Sequence, residues 1–293
     1  MSHRLTRTAF PILAVAAVLV ASAVPAPARP EPPAAKKDDP PKEPGRDDGE
    51  RVFNKIEVEV QAEDGWVKAA RIAKPLLLYG DPTRNHDRGS VWGWGDKGRP
   101  VVLVELFSHP DNRSRWTFVI CNTSGKKVRA TMGGAAWWLE NASACELKDV
   151  PAAPPAAADP ALRQRQLKMI ASRFTGHQFW DPNNTRYDLR RLDRPLHTYR
   201  DDSAGLLDGA LFTLANGTNP EIMFFVEARR DPNDAAKAVW QYTVGRLAHA
   251  ELHLQYEGKE VFEAPRGDRV GGRNRPYWLG FLAVPPDGGP GRP

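Results

Sequence analysis

The chain has 293 residues, 41 basic and 36 acidic side chains and a formal net charge of +5. Its 24 glycines and 27 prolines are too few for a collagen-like chain, and 41% hydrophobic residues suffice for a core. Beyond the N-terminus no apolar run approaches the roughly 18 residues of a membrane span. Two cysteines exclude a disulfide-dense scaffold and a four-thiolate zinc site.

His3, Arg4 and Arg7 form a basic start, followed by an apolar stretch over residues 10–24 and small residues at Ala21, Ser22, Ala23, Ala26 and Ala28. This pattern predicts a secretory signal peptide over residues 1–28, and hence export to the periplasm, cell surface or medium. Residues 29–51 are rich in proline and in charges that nearly cancel. They predict a disordered spacer, because they carry too little apolar surface to offset ordering. Residues 52–293 then hold a net +4, too dilute for a nucleic-acid face.

The chain repeats itself at an offset of 120. Without gaps, the 31 residues from Ala70 match those from Arg190 at seven identities: Arg71/Arg191, Pro75/Pro195, Leu76/Leu196, Tyr79/Tyr199, Asp81/Asp201, Gly89/Gly209 and Pro100/Pro220. With small insertions Glu105 matches Glu227 and Trp116 matches Trp240. The expected fold is mainly β, from two tandem antiparallel β-meander units at 52–150 and 161–285, with one amphipathic helix between them. In the first unit, strands are expected at 75–79, 90–94, 101–107, 116–121 and 127–132, with a further alternating stretch at 55–61. The second repeats them at 210–214, 222–226, 239–244 and 248–256. Strands 101–107 and 222–226 are apolar on both faces, so each must be covered twice. A Pro/Ala linker spans 151–160. Asp159 and Pro160 read as N-cap and first turn of a helix over 160–174. Leu167, Ile170, Ala171 and Phe174 form its apolar stripe, Arg163, Arg165, Lys168 and Arg173 a solvated face, and Gly176 its stop. Residues 286–293 read as a disordered tail.

The motifs that carry chemistry elsewhere fit their surroundings poorly. Residues 93–98 match GxGxxG, but a strand follows where a phosphate site needs a helix. Ser124 and Lys127 match SxxK at a hairpin tip, where no helix start presents the serine. His249, Glu251 and His253 share a strand face, with the two histidines about 13 Å apart, so an exposed polar face is expected rather than a metal site. The Asp181 and Asp231 segments read as Asx-Pro turns, lacking the glycine and glutamate of a calcium loop. Tyr79, Asp81, Tyr199 and Asp201 read as paired structural residues at strand ends. Cys121 and Cys145 are a candidate disulfide if the chain is exported. Trp137, Trp138 and Trp180 are the candidate exposed aromatics, suited to stacking on sugar rings. No cofactor or metal is expected.

Four stretches carry a family likeness: residues 90–106 (SVWGWGDKGRPVVLVEL), 166–174 (QLKMIASRF), 190–199 (RRLDRPLHTY) and 207–228 (LDGALFTLANGTNPEIMFFVEA). By these the chain resembles exported proteins of unknown function numerous in planctomycete bacteria. The resemblance covers most of residues 70–263 and implies export, but no activity and no site residue. The expected function is a non-catalytic exported binding or envelope-scaffold module, with an envelope polymer or protein as partner and no transmembrane span after signal removal. The alternative is a hydrolase with a cleft between the units, for which His109, Asp111, His177 and Asp181 are the residues to watch.

Overall fold

Period-two alternation of apolar side chains makes strands, and strands dominate the chain. The structure, a computed structural model, describes residues 46–95, 97–141, 145–267 and 275–283. The signal peptide, most of the spacer and the tail after residue 285 lie outside them. Helix α1 (Arg46–Phe53) precedes β1 (Ile56–Ala62), β2 (Gly65–Ala69), β3 (Leu77–Asp81), a 3-10 turn (Pro82–Arg84), β4 (His86–Trp94), β5 (Val102–His109), β6 (Asn112–Asn122), β7 (Val128–Met132) and β8 (Ala135–Asn141). A short β9 (Lys148–Asp149) leads to α2 (Pro160–Ser172). There follow β10 (Phe174–Phe179), β11 (Arg186–Arg191), β12 (His197–Asp201), a 3-10 turn (Asp202–Ala204), β13 (Leu206–Asn216), β14 (Asn219–Asp231), β15 (Asp234–Arg246), β16 (Glu251–Tyr256), β17 (Lys259–Ala264) and β18 (Tyr277–Ala283).

The chain is mainly β, and every strand pairing is antiparallel. The two halves follow the same order of elements and the same pairing. Strands β2-β1-β7-β8 form one sheet as β11-β10-β16-β17 do, and β3-β4-β5-β6 form a meander as β12-β13-β14-β15 do. The bridge Arg71–Trp94 recurs as Arg191–Leu214. The halves also exchange edge strands: β9, which follows the first, pairs with β15, and β18, which follows the second, pairs with β6. The expected units at 52–150 and 161–285 are therefore not self-contained, because β9 and β18 each complete the other half's meander.

Each half encloses its own core. In the first, Phe53, Val58, Trp92, Val104, Trp116, Phe118 and Ile120 meet between the β1 sheet and the meander. In the second, Leu167, Ile170 and Ala171 of α2 join Phe212, Phe224, Trp240, Leu252 and Leu254. A third cluster lies between the two meanders, where Val91, Leu103, Val119 and Cys121 pack on Leu211, Met223, Phe225 and Leu247. This accounts for the doubly apolar strands: one face fills its own half's core and the other fills the seam.

Several expectations need correction. The spacer read over 29–51 ends in α1, because Val52 and Phe53 just beyond it are buried, with the Phe53 ring 5.0 Å from that of Trp92. At α2, Asp159 caps the helix by accepting from the Leu162 amide, as expected. Arg163 is not solvated but buried, ion-paired with Asp208 and donating to the Ala157 and Ala158 carbonyls. Gly176 is no helix stop. It sits in β10, where a Cβ would come within 2.7 Å of the His253 carbonyl oxygen and of Leu214. Among the described residues no helix is long and apolar enough to cross a membrane.

Candidate functional site at the seam

The seam gathers most of the buried ionisable groups, and the two recurring tyrosines organise them. The Tyr79 ring lies where a Cβ on Gly89 would be, and the Tyr199 ring does the same over Gly209, so a glycine on the neighbouring strand makes room for each. Each hydroxyl then reaches a fully buried glutamate. That of Tyr79 lies 2.5 Å from Glu105 Oε1 and 2.7 Å from Asn219 Oδ1; that of Tyr199 donates to Glu227 Oε1 at 2.9 Å.

The two glutamates are not the equivalents that sequence matching suggested. Val91 pairs with Glu105, whereas Leu211 pairs with Phe225. In this register Glu105 matches Phe225, and Glu227 matches Phe107. Trp116 and Trp240 do match, opposite Ser108 and Ala228. The extra residues of the second half therefore fall beyond Ala228, in the β14–β15 hairpin, rather than before Glu227.

Around Tyr79 two acceptors share one hydroxyl. One hydroxyl proton cannot serve two acceptors. Burial holds Glu105 well above the ordinary carboxylate range, reinforced by the charge of Glu221. The Tyr79 hydroxyl lies within reach of both Glu105 Oε1 and Asn219 Oδ1 and serves one acceptor at a time. The Asn219 amide donates onward to Glu221 at 3.0 Å, and Glu221 is ion-paired with Arg84. Burial and the Glu105 charge push the Tyr79 hydroxyl well above its usual range. His86 Nδ1 lies 3.3 Å from Asn219 Oδ1, and burial together with the Arg84 charge lowers its pKa to about 4. Its ring packs 4.1 Å from that of Phe107, tilted by 34°. Around Tyr199 the arrangement is simpler. Glu227 is ion-paired with Arg99 at 3.3 Å and Arg229 at 2.8 Å. Arg99 comes from the other half, as Asn219 does for Tyr79.

Turns lock the seam from each side. Asp201 caps its 3-10 turn by accepting from the Ser203 and Ala204 amides. Asp81 does not cap its own turn. It accepts from Thr83 Oγ1 and, across the seam, from the Thr218 amide. Gly217, at φ +65°, sits against the Asp81 carboxylate, with no room there for a Cβ.

The remaining candidates disperse. His109 and Asp111 share a neighbour: His109 Nδ1 lies 3.1 Å from the Asn85 carbonyl, and the Asn85 amide donates to Asp111. Asp181 is occupied by Thr185, and His177 lies on β10 beside His253. Glu251 and His253 are 3.2 Å apart, while His249 precedes β16. Trp137 and Trp138 are buried, at 1% and 0% exposure, which corrects the expectation that one is exposed. Register shifts on both sides of Ala130 in the β7–β8 pairing break the alternation, so both rings reach the same core. Trp180 is 38% exposed, with its ring 5.4 Å from Tyr187 and the Arg84 guanidinium 5.6 Å above it.

Cys121 and Cys145 are buried thiols with no disulfide between them. The Cys145 thiol donates to the Asn122 and Val244 carbonyls, which orients its S–H toward backbone oxygen, and contact with Cys145 together with burial pushes the Cys121 thiol up. Arg84 and His86 escaped sequence reading because they sit in the polar run 83–88, and Asn219 and Glu221 because nothing local pairs them with that run. A lone glutamate beginning an otherwise apolar run, as at Glu221, is the signal that could have found them.

No protein-family model, curated protein or solved structure matches this chain.

Proposed function

We propose that the chain is an exported, non-catalytic binding or envelope-scaffold module, and that its corresponding halves arose by internal duplication. One observation carries the reading. The groups at the seam that could act as acid, base or nucleophile are spent on each other: Tyr79, its pKa raised by burial, meets Glu105 and Asn219, and His86, its pKa lowered to about 4, is neutral near pH 7. General acid–base catalysis needs a group poised near the working pH, and Tyr79 and His86 are driven away from it. A hydrolase cleft also finds little support, since the meanders meet through aliphatic and aromatic side chains. The contact surface in this reading is the exposed Trp180, flanked by Tyr187 and Arg84, where a sugar ring of an envelope polymer would stack.

The test uses the mature protein with purified peptidoglycan sacculi and soluble glucans at pH 7.5, measuring both retention and products. Retention without products is expected, with retention falling at least tenfold in Trp180→Ala. Absence of retention on every polymer would remove the envelope-binding reading. Products that disappear in His86→Asn at unchanged melting temperature would replace it with the hydrolase.

A further inference from the structure

Away from the seam, the outer face of the second half carries a row of ligand-type side chains. Register aligns Asp188 of β11, His177 of β10, His253 of β16 and Glu263 of β17 across four strands. Glu260 and Glu263 are three residues apart, so in a regular strand they would face opposite sides. A bulge lies between them: Leu254 pairs with Phe262 but Gln255 with Glu260, leaving Val261 extra. Bulges re-aim side chains, and this one brings both carboxylates to His253, the donor atoms of all three lying within 4.8 Å of one another.

The histidine is oriented for a ligand's role. Its Nδ1 lies 2.7 Å from Glu260, while its Nε2 lies 3.2 Å from Glu251 Oε1. A carboxylate on the far ring nitrogen is the usual outer partner of a metal-bound imidazole, because it fixes the tautomer and raises basicity. A second, independent feature points the same way. His177 is only 6% exposed, its Nδ1 is buried without a hydrogen-bond partner, and its ring stacks on that of His253 at 4.5 Å. Buried imidazole nitrogens are ordinarily satisfied. This one stands next in the row, beside the three clustered donors.

We propose that this face binds one divalent cation of the zinc class, through His253 Nδ1, Glu260 and Glu263, with Glu251 orienting the histidine and His177 stacked against its ring. A mixed nitrogen and oxygen donor set suits zinc or manganese rather than calcium or magnesium. The site joins β16 to β17 and is independent of the seam and of the proposed function.

The test is isothermal titration of the tag-free, chelator-treated protein with zinc chloride at pH 7.5. One equivalent is expected to bind, with affinity reduced at least tenfold in His253→Ala and in Glu263→Gln, and by a smaller factor in His177→Ala. These side chains lie on an outer face, so circular dichroism and melting temperature in the absence of metal should match the parent. If a variant misfolds, an excess of zinc should raise the melting temperature of the parent but not that of Glu260→Gln. No binding by the parent, or binding unchanged in His253→Ala and Glu263→Gln, overturns the proposal.

Discussion

Facing each other across the seam, the two halves put the same tyrosine over the same glycine and then part company. The first half presents Glu105 and Phe107 where the second, in register, presents Phe225 and Glu227. Glu105 meets the Tyr79 hydroxyl, and burial raises its carboxyl well above the ordinary range. Glu227 meets two arginines and is ion-paired with both. A shared backbone plan thus tolerates two solutions for a buried glutamate, and the partners supplied by the opposite half decide which is used.

This contrast predicts unequal costs. Glu227→Gln leaves Arg99 and Arg229 without their carboxylate and should lose about 3 kcal/mol, as expected when one partner of a buried pair is removed. Glu105→Gln breaks no ion pair and keeps a hydrogen-bonding amide beside Tyr79, so it should lose less than about 1 kcal/mol. Urea unfolding of the two variants measures both, and equal losses would break the comparison.

The turns give the next largest effect. Gly217→Ala combines a left-handed backbone with a clash against Asp81 and should cost about 2–3 kcal/mol. Gly133→Ala, at φ +59° with nothing within 4 Å, should cost only the backbone part, about 1 kcal/mol. Thermal melts of the pair separate seam contact from strain.

Hydroxyl deletion sharpens the contrast further. Tyr79→Phe deprives both Glu105 and Asn219 of a partner and should cost about 2 kcal/mol, against about 1 kcal/mol for Tyr199→Phe, where Glu227 keeps its arginines. A larger loss for Tyr199→Phe would mean that the arginines do not satisfy Glu227.

Much of this plan was legible in the sequence. Period-two alternation marked the meander strands, the doubly apolar runs foretold a cover on both faces, and Asp159-Pro160 marked the start of α2. What escaped depends on long-range pairing. Nothing local says that β18 leaves its own half to join β6, or that the halves insert residues in a hairpin rather than ahead of Glu227. Tryptophan alternation misled at Trp137 and Trp138 because a register shift is set by the partner strand. The seam network was hidden for the same reason: only the fold brings Arg84 and His86, from β4 and its flanking turn, to Asn219 and Glu221.

The pH effects carry opposite signs. The unfolded chain protonates His86 near 6.5 and the folded chain only near 4. The stability His86 confers is therefore complete above about 6.5 and is lost as pH falls toward 4. His86→Asn should flatten that acid limb. Glu105 keeps its proton above its ordinary value of 4.5, so its contribution is complete below about 4.5 and declines as pH rises past it. Glu105→Gln should remove that decline. Denaturation midpoints from pH 4 to 8 test both slopes.

Carboxyl carbon-13 spectra of glutamate-labelled protein at pH 7 test the charge assignment most directly. One resonance should carry the shift of a protonated acid, stay unmoved through the ordinary carboxylate range and vanish in Glu105→Gln. Spectra in which every glutamate titrates normally, or in which the protonated signal survives that substitution, would contradict the neutral glutamate beneath Tyr79.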